Sequence, residues 1–267
     1  MNAAHGTGVL VVSDADTGEL VEATGLPRHP AAVPLALSWD GGHVLVRTGP
    51  ENQPDRDLVL SCLATGRRQL FDAQANGLVY QAALSPDGRS MATVADEDDV
   101  RVDITDLTTG VRRPLWSAAG WRSESGVAWS PDGGLVSVSY IDEESDRTDT
   151  VVLSVADGSV LTRYDGLGTL GSPNGTWTGE RELLLVEEFS EEDVPPLFLQ
   201  DVATGAVRRF TRAPGYVGGV PAVVGDRLVQ RLSAGLFDCA LDGTDPHPVL
   251  VLPPAHEVGF FDVSGAF

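Results

Sequence analysis

The sequence predicts an all-β fold built from a repeated four-stranded unit, on three observations. Two turn sequences alternate along the chain. The segments between them are short and apolar, or alternate apolar and polar with period two. The spacing of the turns is nearly constant. The first turn reads Ser38-Trp39-Asp40-Gly41, Ser85-Pro86-Asp87-Gly88 and Ser130-Pro131-Asp132-Gly133, with degraded copies at Thr178-Gly179-Glu180 and Val224-Gly225-Asp226. The second reads Thr17-Gly18, Thr65-Gly66, Thr109-Gly110, Asp157-Gly158, Thr204-Gly205 and Asp242-Gly243. A fixed period of this kind names an architecture before any other signal does.

The unit around Ser85 shows how the elements follow from the residues. Tyr80 to Leu84 is a short apolar strand. In the turn after it, Pro86 presets φ, Asp87 bonds back to the backbone and Gly88 takes a conformation that other residues avoid. Ser90 to Ala95 is a second strand, and Asp96 to Asp99 a polar loop. Val100 to Asp106 alternates with period two, as a strand packed on one face does. Thr109-Gly110 turns the chain again, and Val111 to Leu115 is a fourth strand.

First turns recur after 47, 45, 48 and 46 residues, and second turns after 48, 44, 48, 47 and 38. Four short strands in a unit of this length describe a β-propeller blade, whose two apolar faces are covered by the blades beside it. Six second turns predict six outer hairpins. The expected blades are residues 24–70, 71–115, 116–164, 165–211 and 212–252, with a sixth from residues 253–267 completed by residues 1–23. Glu257 to Gly265 reads as an inner strand and a first turn, so pairing of the two chain ends would close the ring and remove open edges. Five or seven blades is the alternative, because the last spacing is short. All 267 residues are assigned to this one domain.

The Ser-Pro-Asp-Gly turn after a strand, followed by Asp106-Leu107-Thr108-Thr109-Gly110 and again by Asp201-Val202-Ala203-Thr204-Gly205, resembles the WD40-like repeat of TolB-type propellers. The Gly-His and Trp-Asp pairs of the eukaryotic WD40 repeat are missing. The resemblance covers most of the chain. It implies that ligands meet one rim of the central channel, where second strands join third strands and one blade joins the next. The repeated turns would then lie on the opposite rim.

That geometry nominates a site. The second-to-third-strand loops are acidic, among them Asp96 to Asp99, Asp142 to Glu144, and Glu187 with Glu188. They suit either a solvated surface or a collar for a cationic ligand. The inter-blade segments carry Arg28 and His29, Tyr80 and Gln81, Trp116, Trp121 and Arg122, Asn174, Tyr216, and His256 with Glu257. Aromatic, basic and acidic groups at one channel mouth suit a small-molecule pocket. His29 and His256 are the acid–base candidates if there is chemistry. His256 and Glu257 are adjacent on an expected strand and point opposite ways.

Composition narrows the partners. The net charge is −21, from 39 acidic and 18 basic residues, and every basic residue is arginine. Without lysine there is no Schiff-base amine and no phosphate-loop lysine. The acidic balance argues against nucleic acid and anionic membranes and admits a cationic partner. No apolar run reaches the roughly 18 residues of a membrane span. Met1 to Gly8 has neither a basic nor an apolar signal region, so the expected location is cytoplasmic. Cys62 and Cys239 stand at equivalent places in different repeats and read as buried free thiols. No cofactor and no metal are expected, and the expected state is a monomer. Gly166 to Gly171 matches G-x-G-x-x-G, but Pro173-Asn174-Gly175 forbids the helix a dinucleotide site needs. Asp14 to Gly18 lacks the ligand spacing of a calcium loop. There is no G-x-S-x-G nucleophile turn and no zinc spacing.

The sequence therefore predicts a stand-alone propeller that binds a small molecule or a protein at one rim. The alternative is a metal-independent lyase or cyclase of specialised metabolism, using His29, His256, Tyr80 and Arg122. A role in envelope assembly fits least.

Overall fold

The computed structural model describes residues 11–13, 20–22, 33–48, 57–71, 79–96, 99–119, 126–142, 144, 147–169, 176–179, 181–187, 196–210, 221–224, 227–232 and 235–251. They form five four-stranded antiparallel sheets and one two-stranded sheet. Blade 1 is β3 (Val33–Leu37), β4 (His43–Thr48), β5 (Asp57–Cys62) and β6 (Arg68–Phe71). Blade 2 is β7 (Val79–Leu84), β8 (Ser90–Asp96), β9 (Asp99–Asp106) and β10 (Arg112–Ala119). Blade 3 is β11 (Val127–Trp129), β12 (Leu135–Asp142), β13 (Arg147–Ser154) and β14 (Val160–Tyr164). Blade 4 is β15 (Trp177–Thr178), β16 (Glu182–Val186), β17 (Leu197–Asp201) and β18 (Val207–Phe210). Blade 5 is β19 (Ala222–Val224), β20 (Arg227–Leu232), β21 (Gly235–Ala240) and β22 (His247–Val251). Among the described residues, β1 (Val11–Ser13) and β2 (Leu20–Glu22) pair only with each other.

The propeller therefore has five blades among the described residues, not the six expected. Counting turns overestimates blades. The strands flanking Thr17-Gly18 make a hairpin, but a blade needs four strands in one sheet, and β1 and β2 make a sheet of two. The C-terminal segment expected to complete that sheet lies outside the described residues.

Each first turn is held by its own side chains. Ser38, Ser85 and Ser130 donate from Oγ to Asp40, Asp87 and Asp132 Oδ1 at 2.5, 2.6 and 2.6 Å. The same oxygens accept the backbone N–H of Gly42, Arg89 and Gly134 at 2.9–3.0 Å. The serine Oγ in turn accepts the N–H that starts the next strand, from His43, Ser90 and Leu135. The third residue on from each serine sits at φ 67–71°, which glycine alone adopts without strain.

The core lies between blades. Leu45 and Leu58 of blade 1 pack on Ala82, Leu84 and Met91 of blade 2. Val94, Val102 and Ile104 meet Val136, Val138 and Leu153 across the next seam. Ala128 and Val152 cover Trp177, Leu183 and Leu185, and Leu184, Leu197 and Leu199 cover Leu228 and Cys239. Each fully buried aliphatic side chain contributes about 1.5–3 kcal/mol, so a blade derives its stability from its neighbours. β7 lies beside β3 on one side and β11 on the other, which makes the first strands the inner ones. The fourth strands are outermost and carry the exposed apolar residues Leu70, Val160, Leu161 and Val207.

Two tryptophans stitch adjacent blades at the same register. Trp129 ends β11 and donates from Nε1 to the Ala83 carbonyl at 3.1 Å. Trp177, also one residue before its first turn, donates to the Ala128 carbonyl at 3.3 Å and to Ser137 Oγ at 3.2 Å. Both acceptor alanines stand two residues before a first turn.

Candidate functional site

Because every blade is a meander, its two repeated turns leave from one end and its remaining loops from the other. The structure thus has a turn rim and a loop rim. Of the residues nominated from sequence, Arg28, His29, Trp121, Arg122, Asn174, Tyr216, His256 and Glu257 lie outside the described residues. Tyr80 and Gln81 stand near the loop-rim end of β7. Val79 pairs with Ala95 and Gln81 with Val94, so Tyr80 is the extra residue of a bulge. Gln81 is half-buried, and Glu187 is exposed just after β16. Tyr80 and Gln81 belong to blade 2 and Glu187 to blade 4, with blade 3 between them.

The loop rim of blade 3 shows where part of the acidic loop set goes. Arg163 pairs with Asp149, with Asp142 at 2.8 Å and with Asp165 at 3.0 Å. Asp149 is almost wholly buried, and its Oδ1 accepts the Gly166 N–H at 2.8 Å. Burial works against the Arg163 charge, but hydrogen bonds to Asp149 and Asp142 outweigh it and hold its pKa above the usual value. The guanidinium lies 5.9 Å from the centre of the Tyr140 ring, which leans on Trp116 at 5.5 Å. Burial raises the Tyr140 pKa. Gly168 pairs with Val186, so the start of the glycine-rich run ties blade 3 to blade 4.

A concavity among the described residues lies on the other rim. It is an open groove of about 890 Å³ between the turns of blades 2 and 3. Ile104 and Trp129, both buried, form an apolar floor with Val155, and Pro86 and Pro131 form its lips. Its polar walls are Asp87, Asp106 and Asp132, with Ser85, Ser90 and Thr109. Arg113 crosses between the blades and donates to the Val155 carbonyl. Three carboxylates against one guanidinium leave the lining with two net negative charges.

Hydroxyl and backbone donors favour the charged forms of Asp87 and Asp106. Asp87 is lowered first by the Ser85 hydroxyl, against a smaller burial penalty. Asp106 is lowered by the Thr109 backbone N–H and hydroxyl. Among the described residues, the three groove carboxylates accept their hydrogen bonds at Oδ1: from Ser85 and Arg89, from Thr108 and Thr109, and from Ser130 and Gly134. Among the described residues, the three Oδ2 atoms have no hydrogen-bond donor. Asp87 is expected from sequence to bond back to the backbone of its own turn, and its Oδ1 does so. The signal that sequence reasoning passed over was that two consecutive blades carry a complete Ser-Pro-Asp-Gly turn. Among the described residues there is no cluster of three or more metal-ligating side chains.

The fold matches solved propellers. The structure of a TolB from Agrobacterium tumefaciens, described as putative, superposes with a TM-score of 0.63 at 17% identity, over 91% of this chain and 88% of that one. TolB from Acinetobacter baumannii gives 0.62 at 22% identity, over 88% of this chain. The chain spans 57% of the length of that protein. Oligogalacturonate lyase from Vibrio parahaemolyticus gives 0.59 at 14% identity, over 92% of this chain and 73% of that one. No protein-family model matches the sequence. No curated protein matches it either.

Proposed function

We propose that this chain is a binding module that docks a partner protein at its turn rim, with the groove between blades 2 and 3 as the contact point. Likeness to a TolB and to a lyase fixes the fold and not the activity, so the reading rests on the groove. A general acid or base needs a pKa near the working pH. Asp87 and Asp106 are moved the other way, downward, by hydroxyl and backbone donors. That makes them poor proton shuttles at neutral pH and dependable fixed anions. An open groove with an apolar floor and anionic walls suits recognition of a surface.

The absence of lysine gives a direct test. Carbodiimide couples carboxylates to amines, and the side chains of this chain supply no amine. Adducts formed in an extract of the source cells therefore report a partner's amines, apart from coupling to the chain's own N-terminus. Mapped adducts at Asp87, Asp106 or Asp132 support the reading. Adducts confined to loop-rim acids such as Glu144 and Glu187, with Asp87, Asp106 and Asp132 still freely modified by carbodiimide and glycine ethyl ester in the same extract, overturn it, because a groove filled by guanidinium groups would be shielded rather than coupled.

A further inference from the structure

The groove also carries information about what it takes. We infer that its occupant is a basic, arginine-bearing segment of a protein, a reading that rests on the turn-rim docking proposed above. An arginine side chain has an apolar stem and a cationic fork. The groove offers the complement in the same order: a floor of Ile104, Trp129 and Val155, and walls carrying three carboxylates against the one guanidinium of Arg113, which is engaged by the Val155 carbonyl. In each of those carboxylates Oδ1 is occupied by its turn and Oδ2 is open. The anions are therefore held in place before any ligand arrives, which spares the ordering that binding otherwise demands. Their spacing follows from the fold. Two consecutive first turns supply Asp87 and Asp132, and the second turn of blade 2 supplies Asp106. Such an array fits several cations along a chain better than one isolated cation. Arginine is favoured over lysine because its guanidinium carries five donors in a spread fork, which suits open Oδ2 atoms on neighbouring turns better than the compact ammonium of lysine does. The surrounding charge of −21 would draw the segment in, and salt would weaken it.

The probe is tetra-arginine amide, titrated calorimetrically into the full chain at low salt. An acidic protein binds such a peptide loosely anywhere, so two variants of equal charge are compared. One carries Asp87→Asn, Asp106→Asn and Asp132→Asn. The other carries Asp40→Asn, Asp201→Asn and Asp242→Asn, which are turn carboxylates outside the groove. Asparagine keeps the Oδ1 acceptor, so both variants retain their turns. Three exposed ion pairs predict a loss of about tenfold in the groove variant, with the control within about twofold of the parent. Equal losses in both variants, or no binding by the parent, overturn the inference. Spermidine binding as tightly as the peptide, and with the same dependence on the three aspartates, overturns it in favour of a small polyamine. Turn-rim carbodiimide adducts from a chain that ignores tetra-arginine would leave the docking reading intact and remove this one alone.

Discussion

Cys62 occupies the position that Asp106 and Asp201 hold in two other blades. Those aspartates accept two consecutive backbone N–H groups of their turn, Asp106 from Thr108 and Thr109, Asp201 from Ala203 and Thr204. The backbone of the Cys62 turn closes identically, Gly66 N–H to the Cys62 carbonyl at 2.8 Å. Its sulfur receives the Thr65 hydroxyl and the backbone groups of Thr65 and Ala64, which lowers the thiol pKa. Cys239 is fully buried, and desolvation raises its pKa despite the Gln230 amide. A lowered pKa means more thiolate at a given pH, and thiolate is the nucleophile. Iodoacetamide should therefore label Cys62 before Cys239, with a rate that climbs below the pH of about 8.5 at which a free cysteine titrates. Labelling of Cys239 first would refute the assignment. The sequence placed the two cysteines at equivalent positions but read both as buried. Cys62 is half-buried and donor-rich, because its turn was built for a carboxylate.

At the scale of the element, blades are joined by contacts that local patterning does not contain. Strands and turns were legible because their chemistry closes within about five residues. The Trp129 hydrogen bond reaches back 46 residues and the Trp177 bond 49, so neither announces itself in a sequence window. Gly158 is another such contact. It lies at φ +74°, and a Cβ there would overlap the Leu115 carbonyl of blade 2. Gly110 lies at φ +72° in open space. Gly110→Ala should therefore cost about 1–2 kcal/mol, the price of a left-handed non-glycine residue. Gly158→Ala should cost clearly more, because the seam must also open. Equal melting losses would show that the close approach does not matter. Trp129→Phe should lose about 1 kcal/mol from its hydrogen bond alone, and unchanged stability would deny the stitch between blades 2 and 3.

For the whole molecule, the all-β propeller was legible because a repeat multiplies a weak local signal. The blade number was not, because it depended on the chain ends rather than on the repeat. Five four-stranded blades carry the full pattern, whereas β1 and β2 stand as a separate pair. The groove was illegible for a different reason. Each of its turns is fully explained by its own hairpin, and only the juxtaposition of two blades brings Asp87, Asp106 and Asp132 to the lining of one concavity. Loop-rim reasoning followed side-chain variety instead. There the carboxylates Asp142 and Asp149 share the one guanidinium of Arg163.

The most direct test of groove recognition is hydrogen exchange of the full chain with and without tetra-arginine amide, read by segment. Slower exchange in residues 85–90, 106–113 and 130–135, with no change around residues 142–149 and 164–169, is the result expected if the turn rim is the binding face. Protection confined to the loop rim, or spread evenly over every acidic turn of the five blades, would contradict it.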